Sequence, residues 1–156
     1  KSASKRPAPP LEHPPAGRQE QLEALAYTYE RLVEAEPKFA GHHDKLGVVL
    51  HFLGRPAPAI AALRRAIALD GQRAQTHSNL ANVLGEVGRV DESITMAQKA
   101  TLLDEHSALA HNTLAIALAQ RAQRTGRSGE QGSPGTDLER AVEAARRGTA
   151  AACPKG

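Results

Sequence analysis

The side chains with the most obvious chemical potential in this sequence are three regularly spaced histidines. His43, His77 and His111 follow one another at intervals of 34 residues. Imidazole binds zinc and titrates near neutral pH, so such a row suggests a metal site, a pH-sensitive element or a structural role. Equivalent positions on packed helices lie about 10 Å apart, which is too far for neighbouring imidazoles to share one metal ion. We therefore expect a structural role, with a pH effect as the alternative.

Other residues with catalytic or metal-binding potential lack the partners that such chemistry needs. His42, His43 and His51 lie close in sequence, but no cysteine or acidic residue completes a recognisable zinc spacing. Cys153 is the single cysteine, so it has no internal disulfide partner, and no neighbouring histidine activates it. The sequence contains no phosphate-binding glycine loop, nucleophile elbow or spaced pair of catalytic carboxylates. It predicts no enzyme, no cofactor and no bound metal.

Charge and composition argue against nucleic acid and membrane partners. The 20 Lys and Arg are interleaved with 17 Asp and Glu, and aromatic residues make up 3% of the chain, so base-stacking platforms are scarce. Arg121, Arg124 and Arg127 could dock an acidic partner or RNA, but a solvated loop is the simpler interpretation. No apolar run reaches membrane-spanning length, so we expect a soluble protein, with the cytoplasm slightly favoured. Because the sequence begins with Lys1, we expect a processed product or an excised piece.

The elements that position these residues repeat with the same 34-residue period. The segments 43–50, 77–84 and 111–118 align without a gap, and a fixed period of this length is typical of a solenoid. Apolar residues at helical spacing fill each unit, and Gly54 and Gly88 stand where two antiparallel helices need a turn. Small residues, Gly47 with Ala59 and Ala81 with Ser93, would allow close approach of the paired helices.

The units divide the chain into five parts. We expect residues 1–17 to form a disordered, proline-rich tail or linker and residues 18–39 an N-terminal helix that serves as a half repeat or cap. Full repeats are predicted at 40–73, 74–107 and 108–153. The third contains a loop insertion at about 123–135, after which Thr136 and Glu139 form a predicted capping box for the last helix.

The repeats resemble the tetratricopeptide repeat, a 34-residue helix-turn-helix family. In the first repeat the matching residues are Leu46, Gly47, Leu50, Gly54, Ala59, Leu63, Ala66 and Asp70, and the second matches at Leu80, Ala81, Leu84, Gly88, Ala100 and Asp104. The resemblance implies an all-α fold, a right-handed superhelix of about three repeats plus the N-terminal capping helix. It also implies that the first helices line a concave groove. The groove residues would be Asp44, Lys45, Val48, His51, Phe52, Ser78, Asn79, Asn82, Glu86, Asn112, Thr113, Ile116 and Gln120.

Neutral amides stand out in that groove. An amide offers a donor and an acceptor, so Asn79, Asn82 and Asn112 can bind the backbone of an extended peptide. Side-chain pockets are expected near Phe52, Val48 and Ile116. Asn79 and Asn82 resemble the asparagine ladder of the O-linked N-acetylglucosamine transferase superhelix. At the five positions where related proteins clamp a chaperone's C-terminal carboxylate, only Asn79 matches; the others hold Asp44, Val48, Leu109 and Thr113. A chaperone tail is therefore not the expected partner.

The leading hypothesis is a non-catalytic protein-protein interaction module that holds an extended peptide or a partner helix in its concave groove. One alternative is the substrate-recruiting arm of a larger enzyme, such as a glycosyltransferase, with catalysis in residues outside this sequence. Another is an assembly scaffold whose unpaired terminal helices associate end to end.

Overall fold

The chain folds into a row of antiparallel helix pairs. The computed structural model describes residues 17–128 and 134–152, and within this part every regular element is an α-helix. Most of the expected tail at 1–17 lies outside the described residues, as does Cys153. The helices are α1 (Arg18–Ala35), α2 (Ala40–Phe52), α3 (Pro56–Leu69), α4 (Ala74–Glu86), α5 (Val90–Leu103), α6 (Ala108–Ser128) and α7 (Pro134–Ala152). The predicted all-α solenoid is confirmed.

Glycine turns join the two helices of the first and second repeats, as the sequence predicted. Gly54 has φ 69° and Gly88 has φ 79°, the left-handed region that side chains with a Cβ avoid. The next residue closes each turn, because Arg55 N donates to Leu50 O and Arg89 N donates to Leu84 O, both at 2.9 Å. This six-residue hydrogen bond satisfies a carbonyl that the helix end would otherwise leave unpaired.

Small residues bring the paired helices close together. At Gly47 an added Cβ would lie 2.6 Å from Leu63 Cγ and 3.2 Å from the Ala59 carbonyl oxygen. In the second repeat the hydroxyl of Ser93 donates to the Ala81 carbonyl at 2.7 Å. The predicted close approach of α2 to α3 and of α4 to α5 is therefore confirmed, and it sets the distance over which leucines fill the interior.

The interior is continuous from one repeat to the next. One buried cluster joins the first two repeats, and Tyr29 and Val33 of α1 pack against it. A second buried cluster joins α5 with α6 and α7. Each repeat therefore buries its apolar face against its neighbours, as a solenoid requires. The first cluster consists of Leu46, Leu50, Ala59, Ile60, Leu63, Leu80, Val83 and Leu84.

The third repeat differs from the expected loop insertion at about 123–135. Helix α6 continues to Ser128 and α7 begins at Pro134, so helix covers much of that range and residues 129–133 are not described. Good helix formers from Arg121 to Arg124 continue the helix, and Gly126 costs only about 1 kcal/mol relative to alanine. Because α7 begins at Pro134, Thr136 lies in its first turn and does not occupy the predicted cap position.

No helix in the described part of the chain combines the length and the apolar composition needed to cross a bilayer.

Candidate functional site

The inner face of the solenoid is formed by the first helix of each repeat. Helix α4 contacts both α2 and α6, whereas no direct backbone proximity joins α3 to α5 or α5 to α7 in the described residues. Elements on the inside of a curved stack lie closer together than elements on the outside. Helices α2, α4 and α6 therefore line the concave surface, and α3, α5 and α7 form the outer surface.

Most of the predicted groove residues are exposed or half-buried, but three are buried. Asp44, Ser78 and Thr113 are buried, with 0%, 1% and 2% of their surface exposed. They occupy the sides of the first helices that face neighbouring helices, so they offer no surface to a partner in this conformation. The residues with exposed or half-buried side chains are Lys45, Val48, His51, Phe52, Asn79, Asn82, Glu86, Asn112, Ile116 and Gln120.

Asn79 is engaged within the protein. Its amide nitrogen donates to Asp44 Oδ1 at 3.2 Å, and its oxygen accepts from Gln75 Nε2 at 3.1 Å. The first bond links α4 to α2 and gives the buried Asp44 a hydrogen bond, although Asp44 Oδ2 has none. Asn79 therefore stabilises the contact between repeats. Gln75 was not among the predicted residues, yet its position four residues before Asn79 is the signal that places both on one helix face.

Asn82 lies between two apolar residues on the inner surface. Val48, Asn82 and Ile116 occupy the same position of three successive repeats, 34 residues apart, and so form a row across the groove. Ile116 is 48% exposed. Asn82 makes no side-chain hydrogen bond within the described part of the chain. Its amide is therefore free to donate and accept at the centre of the groove, with an apolar residue on either side.

An aromatic residue and a histidine–glutamate contact lie one helical turn after this row. Phe52 is 58% exposed, and its ring centroid lies 5.5 Å from that of His51. His51 Nε2 lies 3.4 Å from Glu86 Oε1, a contact between the first and second repeats. In contrast, Gln120 is packed against Gly85, and its Oε1 is buried without a hydrogen bond. Phe52 therefore offers apolar surface, while Gln120 is turned into the protein.

The histidine row has a structural role. In each repeat the Nε2 of the histidine contacts a carbonyl six residues earlier, in the turn that precedes the helix. His43 contacts Pro37 O at 2.9 Å, His77 contacts Gly71 O at 3.0 Å and His111 contacts Glu105 O at 2.8 Å. Because a carbonyl only accepts, Nε2 carries the hydrogen. The three histidines therefore hydrogen-bond each first helix to the turn that precedes it.

Protonation of His77 is disfavoured in the folded protein. Only 1% of its surface is exposed, and its Nδ1 is buried without a hydrogen bond. Burial lowers the pKa of His77, the bond to the Gly71 carbonyl partly opposes this, and the charge of Lys99 lowers it further. A proton added to Nδ1 would lie in a site that gives it no acceptor.

Arg121 of α6 forms an ion pair with Asp137 of α7. Its Nε donates to Asp137 Oδ2 at 2.8 Å and its Nη2 donates to Asp137 Oδ1 at 2.5 Å, with Asp91 Oδ1 at 3.9 Å from Nη1. These hydrogen bonds and the nearby charge of Arg121 lower the pKa of Asp137, which is 7% exposed. The pair holds α7 against α6 at the position where the other repeats have a glycine turn.

The chain is similar to known helical repeat proteins in part of its sequence and in its fold. The family model described as "Tetratricopeptide repeat" matches residues 43–73. A comparison with curated proteins gives no match. Among solved structures, YrrB, described as a TPR protein with an unusual peptide-binding site, has a TM-score of 0.63 at 19% identity, over 86% of this chain and 66% of that chain.

Two further structures bear on function. An O-GlcNAc transferase from Thermobaculum terrenum has a TM-score of 0.61 at 28% identity, and the match covers 70% of this chain but 24% of that chain. The second TPR of Spaghetti (RPAP3), bound to an HSP90 peptide, has a TM-score of 0.54 at 19% identity, over 85% of this chain and 95% of that chain. The similar structures are thus helical repeat proteins, some of which hold peptides.

Proposed function

We propose that this chain, which folds as a solenoid of tetratricopeptide repeats, is a non-catalytic interaction module that holds an extended segment of a partner protein along its concave face. The observation that supports this most directly is the row formed by Val48, Asn82 and Ile116. An amide without an intramolecular partner lies between two apolar side chains there, on the surface that the stack makes concave.

The spacing of the row defines what the partner segment would look like. Neighbouring first helices are about 10 Å apart, so Val48 and Ile116 are separated by about 20 Å along the groove. An extended chain advances about 3.3 Å per residue, so two apolar side chains about six residues apart would reach both. An even separation places both side chains on the same face of the segment. The backbone between them would then lie over Asn82, which can pair with an amide N–H or a carbonyl of any residue type.

The charges of the groove argue against a partner recognised by its carboxylate. At the positions where the family's carboxylate clamp operates, this chain has the buried Asp44 and Thr113 and the apolar Val48. Lys45 is the exposed cation among the predicted groove residues, and His51 contacts Glu86. A neutral segment with spaced apolar residues fits this surface better than an acidic chaperone tail.

Removing the central amide tests the proposal. Peptides of about twelve residues can be selected from a displayed library on the wild-type protein and their affinity measured on Asn82→Ala. Loss of one or two backbone hydrogen bonds of about 1 kcal/mol each should weaken binding about fivefold to thirtyfold. The control is Arg65→Ala on the exposed face of α3, outside both the concave face and the space between α5 and α7, which should leave the affinity unchanged. Equal affinities for Asn82→Ala and the wild type would show that the groove assignment is wrong.

A second function is favoured by one comparison. The similarity to the O-GlcNAc transferase, at 28% identity over 70% of this chain, suggests that the repeats recruit substrates for a catalytic domain elsewhere in a longer polypeptide. The same groove would then hold the acceptor protein. The reading frame that surrounds this sequence distinguishes the two functions, because the enzyme-arm hypothesis requires a glycosyltransferase domain in it.

A further inference from the structure

A second groove lies on the outer surface, between α5 and α7. Side chains of α6 form its floor, chiefly Leu114 and Leu118, and the walls include Leu102 of α5 and Ala144 of α7. Its volume of about 830 Å³ lies within the range of about 300–1,000 Å³ that is typical of ligand pockets. None of these residues belongs to the concave groove.

The internal repeats show how such a groove is normally closed. Helix α7 aligns with α5 at a shift of 48 residues, because Ser93 and Ala100 then match Ala141 and Gly148, which are likewise buried against the first helix of their repeat. This alignment compares the groove between α5 and α7 with the equivalent space between α3 and α5, residue by residue.

Two apolar side chains and an ion pair lie along the space between α3 and α5. Ile67 of α3 and Met96 of α5 both pack against the buried cluster of the first two repeats. Across the mouth of this space, Arg64 Nη2 donates to Glu92 Oε2 at 3.0 Å. Two apolar side chains and one ion pair therefore bridge this space, although the backbones of the two helices do not come close to each other in the described residues.

Each of these closing residues is replaced in the groove between α5 and α7. Thr101 stands in the position of Ile67, and Ala144 stands in the position of Met96. The positions of the ion pair hold Gln98 and Arg140, which cannot form one. The groove is thus open because the side chains that would fill and bridge it are absent.

Arg140 is the cation left over at the rim. Arg147 is paired with Glu143 at 3.1 Å, and His106 Nε2 lies 3.6 Å from Glu105 Oε1. Arg140 helps to lower the pKa of Asp137, but the structure shows no hydrogen bond or ion pair for its side chain within the described residues. Leu102, also at the rim, is 86% exposed. An apolar surface therefore lies beside one unpaired positive charge.

We propose that this outer groove binds a short amphipathic helix of a protein partner. The helix places an apolar side chain over Leu114, Leu118 and Ala144, where Met96 lies in the equivalent space, and a carboxylate on Arg140. Arg140 and Ala144 are one helical turn apart, about 6 Å, so the partner's acidic and apolar residues are also about one turn apart. Glu92 and Met96 of α5 have this same spacing in the closed groove.

The test fills the groove between α5 and α7 with the residue types, isoleucine and methionine, that lie along the space between α3 and α5. A phage-displayed library of helical peptides of about 14 residues is selected on the wild-type protein, with counter-selection on the double variant Thr101→Ile, Ala144→Met. We expect enriched peptides to carry Asp or Glu one turn from Leu, Met or Phe. Synthetic peptides should bind the closed variant at least about tenfold more weakly, while its circular dichroism and melting temperature show that it is folded.

A surface pair of variants makes the test independent of repacking. Arg140→Gln should weaken the same peptides about threefold to tenfold, whereas Arg146→Gln, an exposed cation on the same helix outside the groove, should not. Failure to enrich any peptide, equal binding to the closed and open proteins, or equal effects of the two arginine variants would overturn the proposal. Peptides whose binding depends on Asn82 and not on Arg140 would overturn it as well, because they occupy the concave face.

Discussion

Replacing Gly47 by alanine should destabilise the first repeat even though alanine is the better helix former. The new Cβ would lie 2.6 Å from Leu63 Cγ and 2.9 Å from Leu63 Cδ2, about 1 Å inside the usual separation of about 3.5–4.0 Å between carbon atoms. Overpacking of this kind costs about 1–3 kcal/mol, and the gain in helix propensity returns about 1 kcal/mol. We expect a net loss of about 1 kcal/mol in the free energy of unfolding.

The second repeat indicates which substitution would remove the clash between an alanine at position 47 and Leu63. There Ala81 takes the place of Gly47 and Ala97 takes the place of Leu63, and both alanines are fully buried. Leu63→Ala alone removes a fully buried side chain and should cost about 2–5 kcal/mol. In the Gly47→Ala background it should cost about 1–3 kcal/mol less, because it also removes the clash. Urea unfolding of the four proteins of this double-mutant cycle, followed by circular dichroism, measures the coupling.

The matched control is a glycine without such a neighbour. A Cβ at Gly71 would meet only the Ile67 carbonyl oxygen at 3.4 Å. Gly71→Ala should therefore be additive with Leu63→Ala to within about 0.5 kcal/mol. If Gly47→Ala and Leu63→Ala were also additive, the close packing of α2 on α3 would not be set by this pair, and the reasoning would be refuted.

Three further predictions concern charge and assembly. The pKa of buried His77 is lowered from 6.5, so on acidification the unfolded chain takes up the proton first. The free energy of unfolding should therefore fall as the pH drops through this value, by at most about 1.4 kcal/mol per pH unit. His77→Tyr should flatten the pH dependence of the melting temperature, and an unchanged profile would contradict this. Asp137→Asn should lower the free energy of unfolding by about 1–3 kcal/mol at neutral pH, between the values of exposed and buried ion pairs. Because the pKa of Asp137 is lowered from 3.8, the stabilities of wild type and variant should become equal only in acid below this value. Equal stabilities at neutral pH would refute the role of the pair. If the chain assembles end to end, light scattering should show a mass that rises with protein concentration. Val142 of the last helix is 48% exposed, so Val142→Glu should keep the mass at the monomer value. A constant mass for the wild type would remove the hypothesis.

The parts of the fold that the sequence predicts are those set by short-range patterns. The turn glycines, the small residues between paired helices and the helix periodicity are all local, and the structure places each as expected. The extension of α6 was not predicted, because the favourable residues before Gly126 compete with a Gly- and Ser-rich stretch. The outcome depends in part on the pairing of Arg121 with Asp137, which are 16 residues apart.

The candidate site depended more on long-range contacts. The sequence places Asn79 and Asn82 on one helix but cannot show that Asp44, 35 residues earlier, takes up the amide of Asn79 and leaves Asn82 free. The sequence alone does not predict the outer groove between α5 and α7. To find it, α7 must be aligned with α5 across the insertion, where the 34-residue period is lost. The missing side chains become evident only when the groove is compared with the space between α3 and α5, where Ile67 and Met96 lie.

The most direct test of the central claim is to locate a bound peptide by methyl NMR. The protein should carry Thr101→Ile and Ala144→Met, so that the outer groove is closed, and a selected extended peptide is titrated into it while the Ile, Leu and Val methyl resonances are followed. We predict shifts for Val48 and Ile116 that saturate together and that need about fivefold to thirtyfold more peptide to reach saturation when Asn82→Ala is added. Shifts confined to Leu138 and Val142 of the last helix, or to Leu102 and Leu114, would contradict binding on the concave face.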